Sequence, residues 1–372
     1  MSAFYNVNIP KMKVNKVIYI PKTDPDFIKH HGLLPDNIKE RFDVLNEETK
    51  RFTDLPNDTQ EKTGIGYSTD DTMFHTDFKE YNSNTHVMVR ILYNKDFPYD
   101  FKNKEINPTK LQASSKNKQN HGLSFMNMCG GSSSAKTHGV DEIDTIIIHI
   151  HGGGFIAMSS NSHQIYTREW VKGTNYVLFS IDYRLAPEHP YPAALEDCWQ
   201  VYYWVLNYSQ KHLNINPSKI IMVGDSAGGN LASCVTIMSI KNGFKVPDGL
   251  ILPYPAMTIS KNAVIPSLFY SLTDPILNLN FLNLCFKSYL GNVRDPNDDA
   301  IVDMYDKLKA RVTHNNPELT EREQEEIAFF ERDYLVSPMR APDDILEKFP
   351  PIRIMVGTND PLRDMAYLFL QQ

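Results

Sequence analysis

From residue 143 onward, short apolar runs alternate with helical stretches, and this rhythm constrains the fold more than any other feature. Residues 145–150 (TIIIHI), 176–181 (YVLFSI), 219–223 (KIIMV), 250–252 (LIL) and 352–356 (IRIMV) read as strands. Near-continuous apolar runs suit strands covered on both faces, as in a parallel sheet. Between the second and third runs, Ala194, Cys198, Val201, Tyr202 and Val205 recur at helical spacing and form one apolar face. Residues 230–240 read as another helix. The alternation predicts a doubly wound α/β sheet, mostly parallel, with helices on both faces.

The rest of the chain is less regular. Residues 1–102 read as a polar, partly helical N-terminal extension. Asp36 is placed to cap a helix in which Ile38, Phe42 and Leu45 share a face, and residues 86–93 (HVMVRILY) form a strand. Residues 103–140 carry Lys, Asn, Gln and the run Gly130-Gly131-Ser132-Ser133-Ser134, the texture of a flexible linker. Residues 141–372 form the α/β domain, interrupted by a helical insertion at about 286–333. An apolar helix at 275–290 leads into that insertion, and Thr320 and Glu323 form a capping box on an acidic helix, read as a solvated face.

Composition excludes several classes. The chain has 372 residues, 41% hydrophobic and 22% charged, which is globular rather than disordered. Lys and Arg number 38 against 45 Asp and Glu, a net charge of −7 that argues against general nucleic-acid binding. No apolar run approaches the roughly 20 residues of a membrane span. Residues 1–11 lack the charged-then-apolar order of a signal peptide. Cys129, Cys198, Cys234 and Cys285 are scattered and form no C-x-x-C pair, so neither a zinc knuckle nor a disulfide framework is indicated. A reduced, cytosolic protein is the simplest expectation.

The sharpest motif is Gly224-Asp225-Ser226-Ala227-Gly228-Gly229, a G-x-S-x-G placed where a strand ends and a helix begins. A tight strand-to-helix turn strains the serine and exposes its hydroxyl. The following helix N-terminus offers free N–H groups and a dipole that favours negative charge. The alternative is a chance match in a glycine-rich turn. The second motif is His151-Gly152-Gly153-Gly154-Phe155, directly after the first strand of the domain. Consecutive glycines expose N–H groups, so Gly153, Gly154 and Ala227 are candidate oxyanion donors, with His151, Gly152 and Asp225 as motif support. His149 and His151 share one side of a strand, which could be half a metal site. No carboxylate or cysteine cluster supplies further ligands, so His149 is read as core and His151 as a pin on the glycine loop. A third candidate is Asp360, in Gly357-Thr358-Asn359-Asp360-Pro361-Leu362-Arg363-Asp364 after the last strand. A carboxylate there can orient a catalytic histidine. It can equally be a turn residue, with Asp364 capping the next helix.

These motifs, with Asp182-Tyr183-Arg184-Leu185-Ala186-Pro187-Glu188, resemble the hormone-sensitive lipase family of α/β-hydrolases over residues 143–285 and 334–370. Three stretches are similar to the lipase that gives the family its name: Val246-Pro247-Asp248-Gly249, Pro266-Ser267 through Leu272-Thr273-Asp274-Pro275, and Ser337-Pro338 with Ala341-Pro342-Asp343. The resemblance implies an α/β-hydrolase fold with Ser226 as nucleophile and Asp360 as acid. It implies hydrolysis of acylglycerol or related lipid esters, a lipid-droplet or membrane surface as a candidate partner, and no metal or organic cofactor.

The family's catalytic histidine follows the Asp loop, beyond one more strand. All twelve histidines here precede Asp360, the last being His314. Four expectations follow. Either the sequence is part of a longer hydrolase, with the last strand, helix and histidine region absent, or the protein is genuinely truncated and a crippled enzyme. Alternatively it is a non-catalytic ligand-binding protein on the same scaffold, as the plant gibberellin receptors are in this family. A small-ester carboxylesterase shares the lipase chemistry and differs in substrate.

Overall fold

A computed structural model describes residues 9–23, 72–76, 82–106, 143–259, 265–291 and 333–372. Its centre is a seven-stranded sheet. The strands are β1 (Val14–Pro21), β2 (His86–Tyr93), β5 (Thr145–Ile150), β6 (Val177–Asp182), β7 (Lys219–Gly224), β8 (Gly249–Pro253) and β9 (Ile352–Met355). They lie in the order β1-β2-β6-β5-β7-β8-β9. β5 through β9 are parallel, while β1 and β2 run antiparallel to each other and β2 antiparallel to β6. A short hairpin pairs β3 (Tyr99–Asp100) with β4 (Glu105–Ile106).

Each apolar run read from the sequence becomes a strand of the parallel part. In β5 the pleat sorts the side chains. Ile146, Ile148 and Ile150 join the large core on one face. Ile147 joins a second cluster with Val171, Leu178 and Val223 on the other. The large core is covered by α2 (Ala193–Leu213) and α3 (Ala227–Lys241). The second cluster is covered by α1 (Gln164–Thr174), through Trp170 and Val171. Ala194, Cys198, Val201, Tyr202 and Val205 are all buried on α2, as their spacing predicts.

The boundary at residue 102 needs correction. The described parts of residues 1–102 are not a helical extension, because β1 and β2 carry the main sheet onward from β6. The pairing buries Ile18, Ile20, Val87, Val89 and Ile91 in the large core. Lys22, just past β1, meets Asp197 on α2 at 2.6 Å with both side chains almost fully buried. The start of the predicted linker is likewise part of the β3–β4 hairpin. The helix expected around Asp36–Leu45, the Gly130–Ser134 run and the Thr320/Glu323 capping box lie outside the described residues.

Past β8 comes a 3₁₀ helix (Pro266–Leu272), and α4 (Leu279–Tyr289) occupies the stretch read as apolar and helical. α5 (Asp343–Leu346) precedes β9, and α6 (Arg363–Leu370) follows it. Among the described residues no helix is long and apolar enough to cross a membrane. Cys198, Cys234 and Cys285 are buried free thiols.

Candidate active site

β5, β7 and β9 all deliver their C-terminal ends to one edge of the sheet. In an open parallel sheet that edge is where ligands bind. Ser226 caps the N-terminus of α3 directly after β7, with φ 52° and ψ −118°. That backbone region belongs almost entirely to glycine and costs another residue about 1–3 kcal/mol. The surroundings hold it there. Ser226 donates its N–H to Pro253 O at 3.0 Å, and its carbonyl accepts from Ala256 and Gly229 at 3.1 and 3.0 Å. Its hydroxyl takes no capping role.

Close packing explains the glycines. A Cβ on Gly228 would run into the carbonyls of Ile150 and His151, so α3 starts hard against the end of β5. A Cβ on Gly224 would strike the Gly228 carbonyl. In the second loop, Gly153 and Gly154 adopt φ values of 113° and 63°. Among the described residues, no acceptor meets the N–H groups of Gly153, Gly154 or Ala227.

Asp225 ties the two motifs together. Its Oδ1 accepts the N–H of Gly152 and the hydroxyl of Tyr166, each at 3.1 Å. Its Oδ2 lies 3.4 Å from His163 Nε2. His149 Nε2 stands 3.8 Å from Oδ1, too far for a hydrogen bond, and acts on the carboxylate through space. Burial alone would raise the Asp225 pKa; the two imidazoles outweigh it and hold the carboxyl well below its usual range. His149 and His151 behave as the sequence reading expects. His149 is fully buried and bonds Ser180 Oγ at 2.8 Å. His151 Nδ1 meets Gly152 O at 2.7 Å, and its ring stacks on Tyr183 at 4.2 Å. Burial pulls the His151 pKa down to about 3. No metal-ligating cluster occurs among the described residues.

This arrangement gives a measurable expectation. Asp225→Ala leaves Gly152, Tyr166 and His163 facing an empty acceptor, so stability should fall by about 3–5 kcal/mol at pH 7. A carboxylate with a depressed folded pKa stabilises above its unfolded pKa of about 4 and loses that contribution as pH falls. Urea unfolding of parent and variant should therefore differ most near neutrality, with the difference beginning to shrink below about pH 4 and closing only as pH falls through the depressed folded pKa.

Asp360 sits in the turn after β9. Its N–H donates to Gly357 O at 3.2 Å, and its Oδ1 accepts from Leu362 N at 2.8 Å. Burial raises its pKa, opposed by that hydrogen bond and assisted by Asp274. Tyr254, just past β8, relates this turn to the elbow. It donates its N–H to Met355 O, and burial followed by the charges of Asp225 and Asp360 pushes its phenol up. Among the described residues no histidine bonds Ser226 or Asp360. Asp364 does not cap the last helix, whose N-cap is Leu362. It accepts Ser267 N at 2.9 Å, while Ser267 Oγ donates to Pro361 O at 2.8 Å. This pair pins the Asp360 turn to the 3₁₀ helix.

His163, Tyr166 and Tyr254 were not singled out from the sequence. No motif spacing links them to the elbow; only the packing of α1 and the turn after β8 does. A cavity of about 380 Å³ includes His151, Met88, Asp182 and His189 in its lining but neither Ser226 nor Asp360. It lies beside the glycine loop, not over the serine.

The family model described as alpha/beta hydrolase fold matches residues 147–372. Hormone-sensitive lipase of Mus musculus is 39% identical over 165 residues, covering 44% of this chain and 22% of that protein. The Homo sapiens lipase is 42% identical over 147 residues, covering 40% of this chain and 14% of that protein. Esterase LipI of Mycobacterium tuberculosis is 29% identical over 219 residues, covering 59% and 56% of the two chains. The chain thus spans about a fifth of the length of the mouse lipase. The esterase of Pyrobaculum calidifontis superposes with a TM-score of 0.51 at 22% identity, over 77% of this chain and 67% of the other. Carboxyl esterase 2 of Tuber melanosporum gives 0.51 at 20% identity, over 76% and 66%. These two likenesses speak for the fold. The chain belongs to the α/β-hydrolase fold family, in its hormone-sensitive lipase branch.

Proposed function

We propose that this chain carries the catalytic core of a serine hydrolase that cleaves carboxylic esters of lipids in the cytosol. The observation that carries the reading is Ser226, strained at the β7–α3 turn beside a glycine loop bonded to the same turn through Asp225. Ser226 Oγ attacks the ester carbonyl. The carbonyl oxygen takes up negative charge and is met by the N–H groups of Gly153, Gly154 and Ala227. Each such donor is worth about 3 kcal/mol in the transition state. The C–O bond to the alcohol breaks, leaving an acyl-serine, and water then releases the carboxylic acid. Asp360 orients the imidazole that takes the serine proton and returns it to the leaving alcohol. Among the described residues no histidine is bonded to Asp360 in that role. No cofactor enters, because the nucleophile is a side chain and water completes the cycle.

The lipid preference follows the hormone-sensitive lipases; the esterases among the relatives carry the alternative of small esters. A nitrophenyl ester series separates the two. A lipase should retain turnover at long acyl chains, whereas a small-ester enzyme should lose it beyond short ones. A fluorophosphonate probe tests the remaining alternative. Labelling at Ser226 supports catalysis, and an unlabelled, folded protein that still binds ester ligands supports a binding role.

A further inference from the structure

The glycine loop, bonded to Asp225 at Gly152, packs against one face of α4 at Gly154 and Phe155. A Cβ placed on Gly154 would fall onto Sγ and Cβ of Cys285. One helical turn on, the Tyr289 ring stacks on Phe155 with centroids 3.8 Å apart and planes at 13°. Cys285 and Tyr289 are four residues apart, so they project from the same face of α4. They therefore touch the consecutive residues Gly154 and Phe155. Both helix residues are buried, at 1% and 0% exposure. Burial raises the Cys285 thiol pKa to about 12, so it meets the loop as a neutral, compact group. The far end of the brace is also anchored, since Tyr289 O accepts Tyr191 N at 2.7 Å and Phe155 O accepts Ala186 N at 3.0 Å.

We infer that Cys285 and Tyr289 are positioning residues for the oxyanion loop, and that the Cys285 side chain sets how closely α4 may approach Gly154. This rests on the oxyanion role proposed for Gly153 and Gly154. The left-handed φ of Gly154 matters less than the contact. An Ala at φ 63° costs only about 1–2 kcal/mol by conformation. The Cys285 sulfur is what excludes a methyl group there. Gly153 differs, because a Cβ on it would meet the backbone carbonyl of Ala157, which no substitution on α4 can relieve.

The test is a pair of double-mutant cycles read by turnover of nitrophenyl butyrate and by urea unfolding. Gly154→Ala should cost about 10²- to 10³-fold in kcat with KM little changed, the loss of one oxyanion donor. Adding Cys285→Ala, which removes the sulfur, should restore kcat at least about tenfold and raise the unfolding midpoint toward the parent. Gly153→Ala should gain nothing from Cys285→Ala. Cys285→Leu, pressing on the loop from the helix side, should lower kcat with KM retained. Additive effects at positions 154 and 285 in both readouts would overturn the brace, as would equal rescue of Gly153→Ala. Should the parent protein show no turnover, the hydrolase reading fails by itself. The unfolding cycle still decides the brace, since coupling between 154 and 285 supports it and additivity overturns it.

Discussion

Replacing Ser226 with alanine is expected to lower ester turnover by about 10⁶-fold, leaving only what the oxyanion donors and substrate binding supply. The fold should survive, because the hydroxyl makes no capping bond and the hydrogen bonds of the residue among the described residues use its backbone. Ser226→Gly sharpens the test. The backbone at φ 52° and ψ −118° strains any side chain and suits glycine. Ser226→Gly should therefore be equally inactive but more stable than the parent by about 1–3 kcal/mol, while Ser226→Ala keeps the strain. Turnover by Ser226→Ala at the parent rate would sink the hydrolase proposal. A Ser226→Gly protein no more stable than the parent would remove the strain argument and leave the chemistry standing.

Asp360→Ala is expected to lower kcat by about 10⁴-fold, the scale seen when the acid of a serine triad is removed. The change also removes the acceptor for Leu362 N–H, so local disorder of the turn must be separated from lost charge. Asp360→Asn does this. Its amide oxygen can keep the Leu362 bond while the negative charge is gone, so the fold should be unaffected and kcat still depressed. Asp364→Asn is the control. Asp364 belongs to the same short motif, but its carboxylate faces Ser267 N and does not orient an imidazole. It should shift stability more than turnover. Equal kcat losses at 360 and 364 would show that the whole turn, and not the Asp360 charge, is what matters.

The legibility of this protein in its sequence differs from element to element. β5 and β6 were readable because both faces are covered and they are therefore spelled in near-continuous apolar residues, whereas β9, at the edge, alternates with exposed Arg353 and Met355. The helix at Ala193–Leu213 was readable because its buried side repeats at helical spacing. The elbow and the glycine loop were readable because their constraints are local: a strained turn and a close backbone approach both demand glycine within a few residues. β2 was readable as a strand but not as part of the main sheet. Its pairing with β6 joins residues about ninety positions apart, and nothing in HVMVRILY names its partner. The partner of Asp364 was not readable for a related reason. An acid near a helix start suggests a cap, yet its carboxylate bonds a residue almost a hundred positions earlier.

The sequence by itself determined the α/β class, the placement of Ser226 and the glycine loop at strand ends, and the candidacy of Asp360. Those features depend on periodicity and backbone geometry, which act over a few residues. Only the tertiary structure decided that Asp225 bonds Gly152, that His163 and Tyr166 hold Asp225, and that Cys285 and Tyr289 pack against Gly154 and Phe155. Each is a single contact between distant segments. Such contacts leave no period in the chain, because they are set by how the helices pack on the sheet.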